Sequence, residues 1–323
     1  METRTRCLQI FCMACAFAVA ADGAGKQPAG WFDVTQSVAA TPSPQPLVLH
    51  QFRASSHGLY FGFASGPHAV NGFVLHTDIA GTKLGVVTIP PELEVHDLDV
   101  DPSGRLSALA ISAAQPHLLT YNPSGALESD SPLAQPIQAI CQGGGSLRGV
   151  MLGETGATLS NLSDPGQESV RISLSQPRRV PILLCTAAGG AVLVERTGAV
   201  VHLVNPQGGV VFNSPQIPEM GWLTSIRAGQ LSARNVAFST AAVSPEGDVF
   251  VTLGHFKLAE GAVVLRLDAQ GSLVSAFRCL LPQFPGLVES NNPQGFMTVE
   301  KMGVAGPWLF LVSGDGKVAF YSR

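Results

Sequence analysis

The stretch AAVSPEGDVFVTL (241–253) places a turn glycine directly before an apolar strand, and this arrangement recurs along the chain. Six such segments align: HGLYFGF (57–63), SGRLSALAI (103–111), GGSLRGVML (144–152), GGAVLVE (189–195), EGDVFVTL (246–253) and GPWLFLV (306–312). Their aligned glycines are 46, 41, 45, 57 and 59 residues apart. A period of this size that carries short strands is typical of propeller blades. The pattern predicts an all-β fold, a six-bladed β-propeller of four-stranded antiparallel blades.

A second repeated feature, the turn Asp/Asn-x-x-Gly, has the same period. It occurs at 78–81, 122–125, 205–208 and 268–271, between apolar alternating segments. Asp or Asn at the first position can accept hydrogen bonds from its own turn, and Gly supplies the left-handed residue. Each of these turns therefore predicts a hairpin within a blade.

The last repeat unit has only three apolar segments, FMTVEKMGV (296–304), PWLFLVS (307–313) and KVAFYSR (317–323). A spare strand is predicted near the N-terminus, at about 31–38. A propeller must remove its exposed sheet edges. We therefore expect the N-terminal strand to complete the last blade and close the ring.

The N-terminal 21 residues have the pattern of a secretory signal peptide. Arg4 and Arg6 precede an apolar stretch that ends in Ala18-Val19-Ala20, a small-x-small cleavage site. An uncleaved anchor is the alternative, although the stretch is short for a membrane span. We therefore divide the chain into a signal peptide (1–21), an N-terminal linker with the ring-closing strand (22–46) and a propeller domain (47–323), and we expect a secreted or periplasmic protein with no membrane span after cleavage.

Composition restricts the partners. Of 323 residues, 46% are hydrophobic and 13% are charged, and the net charge is −4. A large core is therefore feasible, and no basic run or aromatic-basic stripe indicates a nucleic-acid partner. We expect a monomer.

Three cysteines remain after the signal segment: Cys141, Cys185 and Cys279. Their odd number and wide spacing do not predict a disulfide framework or a zinc site. Cys141 and Cys185 fall at equivalent places in neighbouring units, so a bridge between them is possible. We expect instead that all three are small buried side chains, because inner strands of adjacent blades seldom approach within disulfide range.

The segments DVDPSGRLSAL (99–109) and AAVSPEGDVFVTL (241–253), each followed by a strand and a turn of the DAQG or NPSG type, resemble the NHL-repeat family. They are also similar to six-bladed propellers of the gluconolactonase and senescence-marker type. The resemblance covers about residues 47–323. It departs from the family's commonest form, which ends the second strand with an aspartate where this chain has Ala, Ser, Glu or Gly.

The two longest intervals point to a candidate binding site. They place extra chain at 213–235 and 279–297, and the loop 254–261 is predicted on the same face. Long loops on a rigid scaffold often carry function, although solvated crossings are the alternative. Our candidate ligand- or partner-binding residues are Trp222, Arg227, Arg234, His255, Lys257, Glu260, Asn291 and Asn292.

The resemblance to gluconolactonase-type propellers implies a divalent cation near the axis, held by Glu, Asn and Asp from separate blades. Asp97 and Asp99 share one face of an inner strand here, and Glu300 enters the sixth unit. The inner strands of units three to five offer no carboxylate, whereas Ca²⁺ or Mg²⁺ requires six or more oxygens. We expect the two aspartates to accept hydrogen bonds from turn amides, with no metal and no cofactor.

No Gly-x-Ser-x-Gly elbow, His-Glu-x-x-His motif or phosphate loop occurs, so no catalytic residue is assigned. The sequence favours an exported, non-enzymatic binding module that recognises a protein, peptide or glycan through its long-loop face. The alternatives are a degenerate lactonase- or hydrolase-like propeller enzyme that uses Ca²⁺ or Mg²⁺, and a structural part of a cell-envelope assembly.

Overall fold

The chain is almost entirely β-structure. The computed structural model describes residues 22–38, 47–65, 70–112, 115–164, 166–196, 200–213, 237–254, 261–284 and 297–323. Within these ranges lie strands β1 to β25 and a four-residue 3-10 helix, Val34–Ser37. None of the helical structure in this part of the chain is long and apolar enough to cross a bilayer. The all-β prediction is confirmed.

The strands form six sheets, which are the six predicted blades. Two strands precede them along the chain: β1 (Asp22–Lys26) and β2 (Gly30–Asp33). Blade 1 contains β3 (Leu47–Ser55), β4 (Gly58–Ser65), β5 (Val70–Thr77) and β6 (Lys83–Thr88). Blade 2 contains β7 (Glu94–Val100), β8 (Leu106–Ser112), β9 (Gln115–Tyr121) and β10 (Leu127–Pro132). Blade 3 contains β11 (Ala139–Gly143), β12 (Ser146–Leu152), β13 (Gly156–Asn161) and β14 (Val170–Ser173).

The second half of the chain repeats this order. Blade 4 contains β15 (Ile182–Cys185), β16 (Ala191–Glu195), β17 (Val200–Val204) and β18 (Val210–Asn213). Blade 5 contains β19 (Ala237–Val243), β20 (Val249–Gly254), β21 (Gly261–Leu267) and β22 (Leu273–Leu280). Blade 6 contains β23 (Lys301–Ala305), β24 (Trp308–Val312) and β25 (Lys317–Ser322). Consecutive strands within each blade pair antiparallel.

The first strand of each blade lies innermost. The inner strands β3, β7, β11, β15, β19 and β23 contact one another in that order, and β23 returns to β3, which closes a ring. Each pair of adjacent blades shares one hydrophobic cluster among the described residues. Between blades 6 and 1, for example, Phe52 and Phe61 pack in the same cluster as Phe310. The hydrophobic core is therefore divided among the interfaces between adjacent blades, and it is not gathered at the centre of the ring.

The N-terminal strand completes blade 6, as predicted. β2 pairs antiparallel with β25, with Trp31 opposite Ala319. The strand is shorter than the expected 31–38, because Asp33 ends it: its Oδ1 accepts a hydrogen bond from the Thr35 amide at 2.9 Å and caps the 3-10 helix. Val34, at the start of that helix, is fully buried between blades 6 and 1.

Blade 5 has an additional outer strand. β1 pairs in parallel with β22, with Lys26 opposite Cys279. The Lys26 Nζ lies 4.2 Å from the centroid of the Phe277 ring and donates a hydrogen bond to the Ser322 carbonyl of blade 6 at 3.0 Å. The segment that precedes the closing strand therefore joins blades 5 and 6. The sequence contained no signal for this parallel pairing.

The predicted Asp/Asn-x-x-Gly hairpin turns are present at 78–81, 122–125, 205–208 and 268–271, where they join the third and fourth strands of four blades. At the first of them, Asp78 Oδ1 accepts hydrogen bonds from the amides of Ala80 and Thr82 at 2.9 and 2.8 Å. Gly81 has a φ of 88°, the left-handed conformation that the turn requires.

The expectation that Cys141 and Cys185 are unpaired was wrong. They form a disulfide between the inner strands of blades 3 and 4, with their Cα atoms 5.3 Å apart. Glycines allow this approach: a Cβ on Gly143 would lie 2.3 Å from the Thr186 carbonyl oxygen, and one on Gly144 would lie 2.4 Å from the Gly189 Cα. Cys279 is a free, buried thiol, as expected.

Candidate functional site

The predicted binding residues belong to segments 214–236, 255–260 and 285–296, which lie outside the described residues. The structure therefore places none of their side chains. They are Trp222, Arg227, Arg234, His255, Lys257, Glu260, Asn291 and Asn292. This sector stays a prediction.

The strand ends that flank these segments are described, and they lie together. At one end of blade 5, Ala237 pairs with Gly254, and Gly261 pairs with Leu280. The start of β19, the end of β20, the start of β21 and the end of β22 are therefore on one face of the ring. We call this the crossing face.

A cavity of about 280 Å³ lies on the ring axis, lined by side chains from the inner strands of all six blades. Its lining includes Ala139, Ile182 and Lys301, each the first residue of its inner strand. Since the inner strands begin at the crossing face, the cavity lies at that end of the ring. We call it the axial cavity.

Three of the inner strands are irregular close to this cavity. The pairing with the second strand is interrupted in β3 at His50, in β7 at His96 and in β19 at Ser239 and Thr240. A bulge leaves a residue outside the regular ladder and turns its neighbours, and bulges are over-represented next to functional sites. His96 and Thr240 both line the axial cavity.

Asp97, Asp99 and Arg53 form a hydrogen-bonded polar cluster at the site. Alternation along β7 puts the two carboxylates on one face. Arg53 of blade 1 donates from Nη2 to Asp97 Oδ1 at 2.8 Å, and its Nε lies 3.6 Å from Asp99 Oδ1. On the other side, the amides of Ile140 and Gln142 in blade 3 donate to Asp97 Oδ2 at 3.0 Å and to Asp99 Oδ2 at 2.6 Å. The aspartates thus connect the inner strands of three blades. Their partners are strand amides and a guanidinium, where the sequence analysis expected turn amides.

Burial dominates the protonation behaviour of this pair. It raises the pKa of Asp99 to about 6, although the positive charge of Arg53 and the two amide donors act in the opposite direction. The pKa of Asp97 is raised for the same reason and is opposed mainly by Arg53. One guanidinium therefore neutralises two buried carboxyl groups incompletely.

The charged side chains of the lining are mostly cationic: Arg53, Arg196 and Lys301, with Asp97 as the carboxylate. Burial lowers the pKa of Lys301, and the charges of Arg196 and Arg53 lower it further, whereas the carboxylates of Glu300 and Asp97 act in the opposite direction. Burial and the charge of Lys301 also lower the pKa of His50, whose buried Nε2 has no hydrogen-bond partner among the described residues. An anionic group would be stabilised here.

The arrangement does not fit the divalent-cation site that the gluconolactonase resemblance implies. Asp97 and Asp99 direct their oxygens at Arg53 and at strand amides. Glu300 is exposed, and its carboxylate covers the backbone of Gly314, where an added Cβ would lie 2.5 Å from Oε2. In the described ranges, no three His, Cys, Asp or Glu side chains are grouped as metal ligands.

Comparison with known proteins identifies the fold but no family. No protein-family model matches the chain, and no curated protein is significantly similar to it. Among solved structures, a catalytically inactive virginiamycin B lyase from Staphylococcus aureus with quinupristin is similar, with a TM-score of 0.51 and 11% identity over 91% of this chain and 98% of that chain. A protein of unknown function from Bacteroides thetaiotaomicron gives a TM-score of 0.54 at 13% identity, over 92% and 73% of the two chains. A chain of the mitotic checkpoint complex gives 0.53 at 10% identity, over 100% and 99%.

Identities this low show the fold alone. The prediction of a six-bladed propeller is confirmed, whereas its assignment to the NHL-repeat or gluconolactonase type stays a prediction. The similarity to a lyase and to a member of a protein complex does not distinguish an enzyme from a binding protein.

Sequence reasoning missed the cations of the axial cavity. The search of the inner strands considered carboxylates, which are the ligands of a metal site, and passed over Arg53 and Lys301. A signal was present, because each residue is the charged member of an inner segment with no acidic residue, LVLHQFRAS (47–55) and KMGVA (301–305). Arg196 follows the second strand of blade 4, and only the ring places it at the axis.

Proposed function

We propose that this protein is an exported, non-enzymatic binding module that recognises a protein, peptide or glycan on the crossing face, with an acidic group of the ligand held in the axial cavity. The observation that carries the proposal is the charge of the lining. The lining contains three cations, Arg53, Arg196 and Lys301, and one carboxylate, Asp97, and it is therefore net positive.

The surroundings of Lys301 favour an anionic ligand. Burial and two neighbouring guanidinium groups lower the pKa of Lys301 more than the carboxylates of Glu300 and Asp97 raise it. A carboxylate, sulfate or phosphate group that enters the cavity would add negative charge next to Lys301 and would gain charge-assisted hydrogen bonds. The six inner strands hold these groups on a rigid ring, so little order is lost when the ligand binds.

Two further observations support the proposal. The Cys141–Cys185 disulfide is of the kind that persists in oxidising compartments, in agreement with the signal-like segment 1–21. A chain of similar fold is part of the mitotic checkpoint complex, which is consistent with partner binding by this fold.

The double variant Lys301→Met/Arg196→Met tests the role of the cavity. Binding of acidic peptides and of uronic-acid or sulfated oligosaccharides would be measured by calorimetry for the wild type, for this variant and for Arg178→Met, which changes an exposed arginine outside the cavity. We expect the wild type and Arg178→Met to bind an acidic ligand in a salt-sensitive manner, and the double variant to bind it about tenfold more weakly or worse.

Two results would contradict the proposal. One is equal binding of acidic ligands by the wild type and the double variant. The other is stoichiometric, tight binding of Ca²⁺, Mg²⁺ or Zn²⁺ that is lost in Asp97→Ala, which would favour the cation-dependent enzyme instead.

A further inference from the structure

Another arginine, Arg148, lies in an unusual environment outside the axial cavity. Arg148 belongs to β12 and is only 7% exposed. Among the described residues, its buried Nε has no hydrogen-bond partner and no carboxylate forms an ion pair with it. Burial alone lowers the pKa of its guanidinium. A buried cation without a counterion is costly to a fold.

Arg148 lines a cavity of about 380 Å³ in the wedge between blades 3 and 4. The strand register fixes this position: Arg148 lies opposite Cys141 on β11 and opposite Asn161 on β13. Cys141 is bonded to Cys185 of blade 4, so the disulfide ties together the two blades that form the walls. The cavity opens beside the turn that contains Gly208, away from the crossing face. We call it the wedge cavity.

The other polar groups of the wedge cavity suit a small hydrophilic ligand. Asn161 donates from Nδ2 to Gln167 Oε1 at 2.6 Å, which leaves the Gln167 amide nitrogen as a donor, and the Ser169 hydroxyl lies 3.0 Å from that of Ser160. Arg171 adds a second guanidinium. Glu168 is the acidic residue of the lining, and it is exposed. The wall thus provides one buried cation, one exposed cation and several hydrogen-bonding groups.

We propose that the wedge cavity is a binding site for a small polar ligand that carries an oxyanion, a carboxylate or a phosphate, and that Arg148 is its anchor. The planar guanidinium presents paired donors that match the two oxygens of such a group. A bound anion supplies the counterion that the described residues do not provide, and the amide side chains contact the polar body of the ligand. This site is separate from the axial cavity and does not depend on the function proposed for it.

Thermal unfolding and calorimetry with chosen anions test the proposal. The purified wild type would be titrated with citrate and glucuronate as carboxylates and with inorganic phosphate and sulfate as the alternative oxyanions, all at constant ionic strength. We expect at least one of them to bind with saturation, to raise the unfolding midpoint by about 3 °C or more at high occupancy, and to reveal which oxyanion is preferred.

Arg148→Met is the decisive variant, because it keeps the volume of the side chain and removes its charge. We expect it to lose anion binding by about tenfold or more, and to unfold in anion-free buffer at a temperature equal to or above that of the wild type. Arg148→Lys, which keeps the charge but not the paired donors, is expected to bind more weakly than the wild type. Arg178→Met is the matched control and should bind normally.

The proposal is overturned if none of the four anions binds the wild type, or if Arg148→Met retains the same saturable binding. It is also overturned if Arg148→Met unfolds at a markedly lower temperature in anion-free buffer, since Arg148 would then stabilise the fold without a ligand.

Discussion

Charged side chains inside this ring fall into two groups, those whose charge is matched and those whose charge is not. Asp97 is matched by Arg53 at 2.8 Å and by two backbone amides. Arg148 has no carboxylate partner among the described residues, Lys301 is only partly compensated by Glu300 and Asp97, and burial lowers the pKa of both. Unmatched buried charges cost stability, and for that reason they are the side chains that we assign to ligands.

Asp99 gives a pH dependence whose sign follows from its environment. Its pKa of about 6 in the folded protein lies above the ordinary value of 3.8, so the folded protein binds this proton more tightly than the unfolded chain does. Between about pH 4 and 6 the contribution of Asp99 to stability therefore decreases as the pH rises.

The measurement compares the wild type with Asp99→Asn, which cannot titrate. From chemical unfolding at several pH values, we expect the stability of the wild type relative to the variant to decrease from about pH 4 to pH 6, and to stay level above about pH 6.5. Parallel curves over the whole range would refute the assignment.

Within a blade, the alternation of apolar and polar residues determines how the strands pair. Between neighbouring blades, small residues determine how closely the inner strands approach each other. β11 and β15 come close at the end where Gly143 and Gly144 face Thr186 and Gly189, because no Cβ separates the backbones there. The disulfide between Cys141 and Cys185 lies at that place and closes a loop with a sequence separation of 44 residues.

Removal of this disulfide should lower the free energy of unfolding. For Cys185→Ala we expect a loss of about 2–4 kcal/mol in denaturant unfolding, because the crosslink restricts the unfolded chain. A reducing agent should bring the wild type to a similar value and should leave Cys185→Ala unchanged, which serves as the control. A wild type whose midpoint does not respond to reduction would argue against the bridge.

The whole molecule depends on the closure of a ring. Blade 6 takes its outer strand, β2, from the other end of the chain, and the residues after it pack Val34 and Val38 into the core between blades 6 and 1. Closure of this kind removes a free strand edge on β25, and it makes the stability of the first blade depend on the last.

Deletion of residues 22–38 tests this dependence. We expect the unfolding temperature to fall by about 10 °C or more, since the deletion removes the ladder with β25 and the buried side chains of Val34 and Val38. Deletion of residues 22–28 alone, which removes β1 but keeps β2, is the control and should cost less. Equal unfolding temperatures for the full chain and the 22–38 deletion would exclude closure by β2.

Much of this architecture could be predicted from the sequence because its determinants are local. The glycine before the second strand of each blade and the Asp/Asn-x-x-Gly turn before the fourth strand of four blades act within a few residues, and they repeat with the period of the blades. In blade 5, for example, the apolar segments 236–244, 248–254, 262–268 and 272–278 of the sequence coincide with β19 to β22 to within two residues at each end. The closing strand was also predictable, since a missing strand at one end and a spare one at the other leave a single way to pair both edges.

The candidate sites could not be predicted in the same way, because their residues meet only in the closed ring. Arg53, Arg196 and Lys301 come from blades 1, 4 and 6, and the sequence contains no spacing that relates them. Whether a charge is matched depends on what another blade places next to it, and burial by that blade determines the pKa. The sequence by itself therefore determined the number of blades, the turns and the closure of the ring. The tertiary structure alone decided that Cys141 and Cys185 are bonded and that Arg148 has no carboxylate partner among the described residues, since both depend on which side chains neighbouring blades bring together.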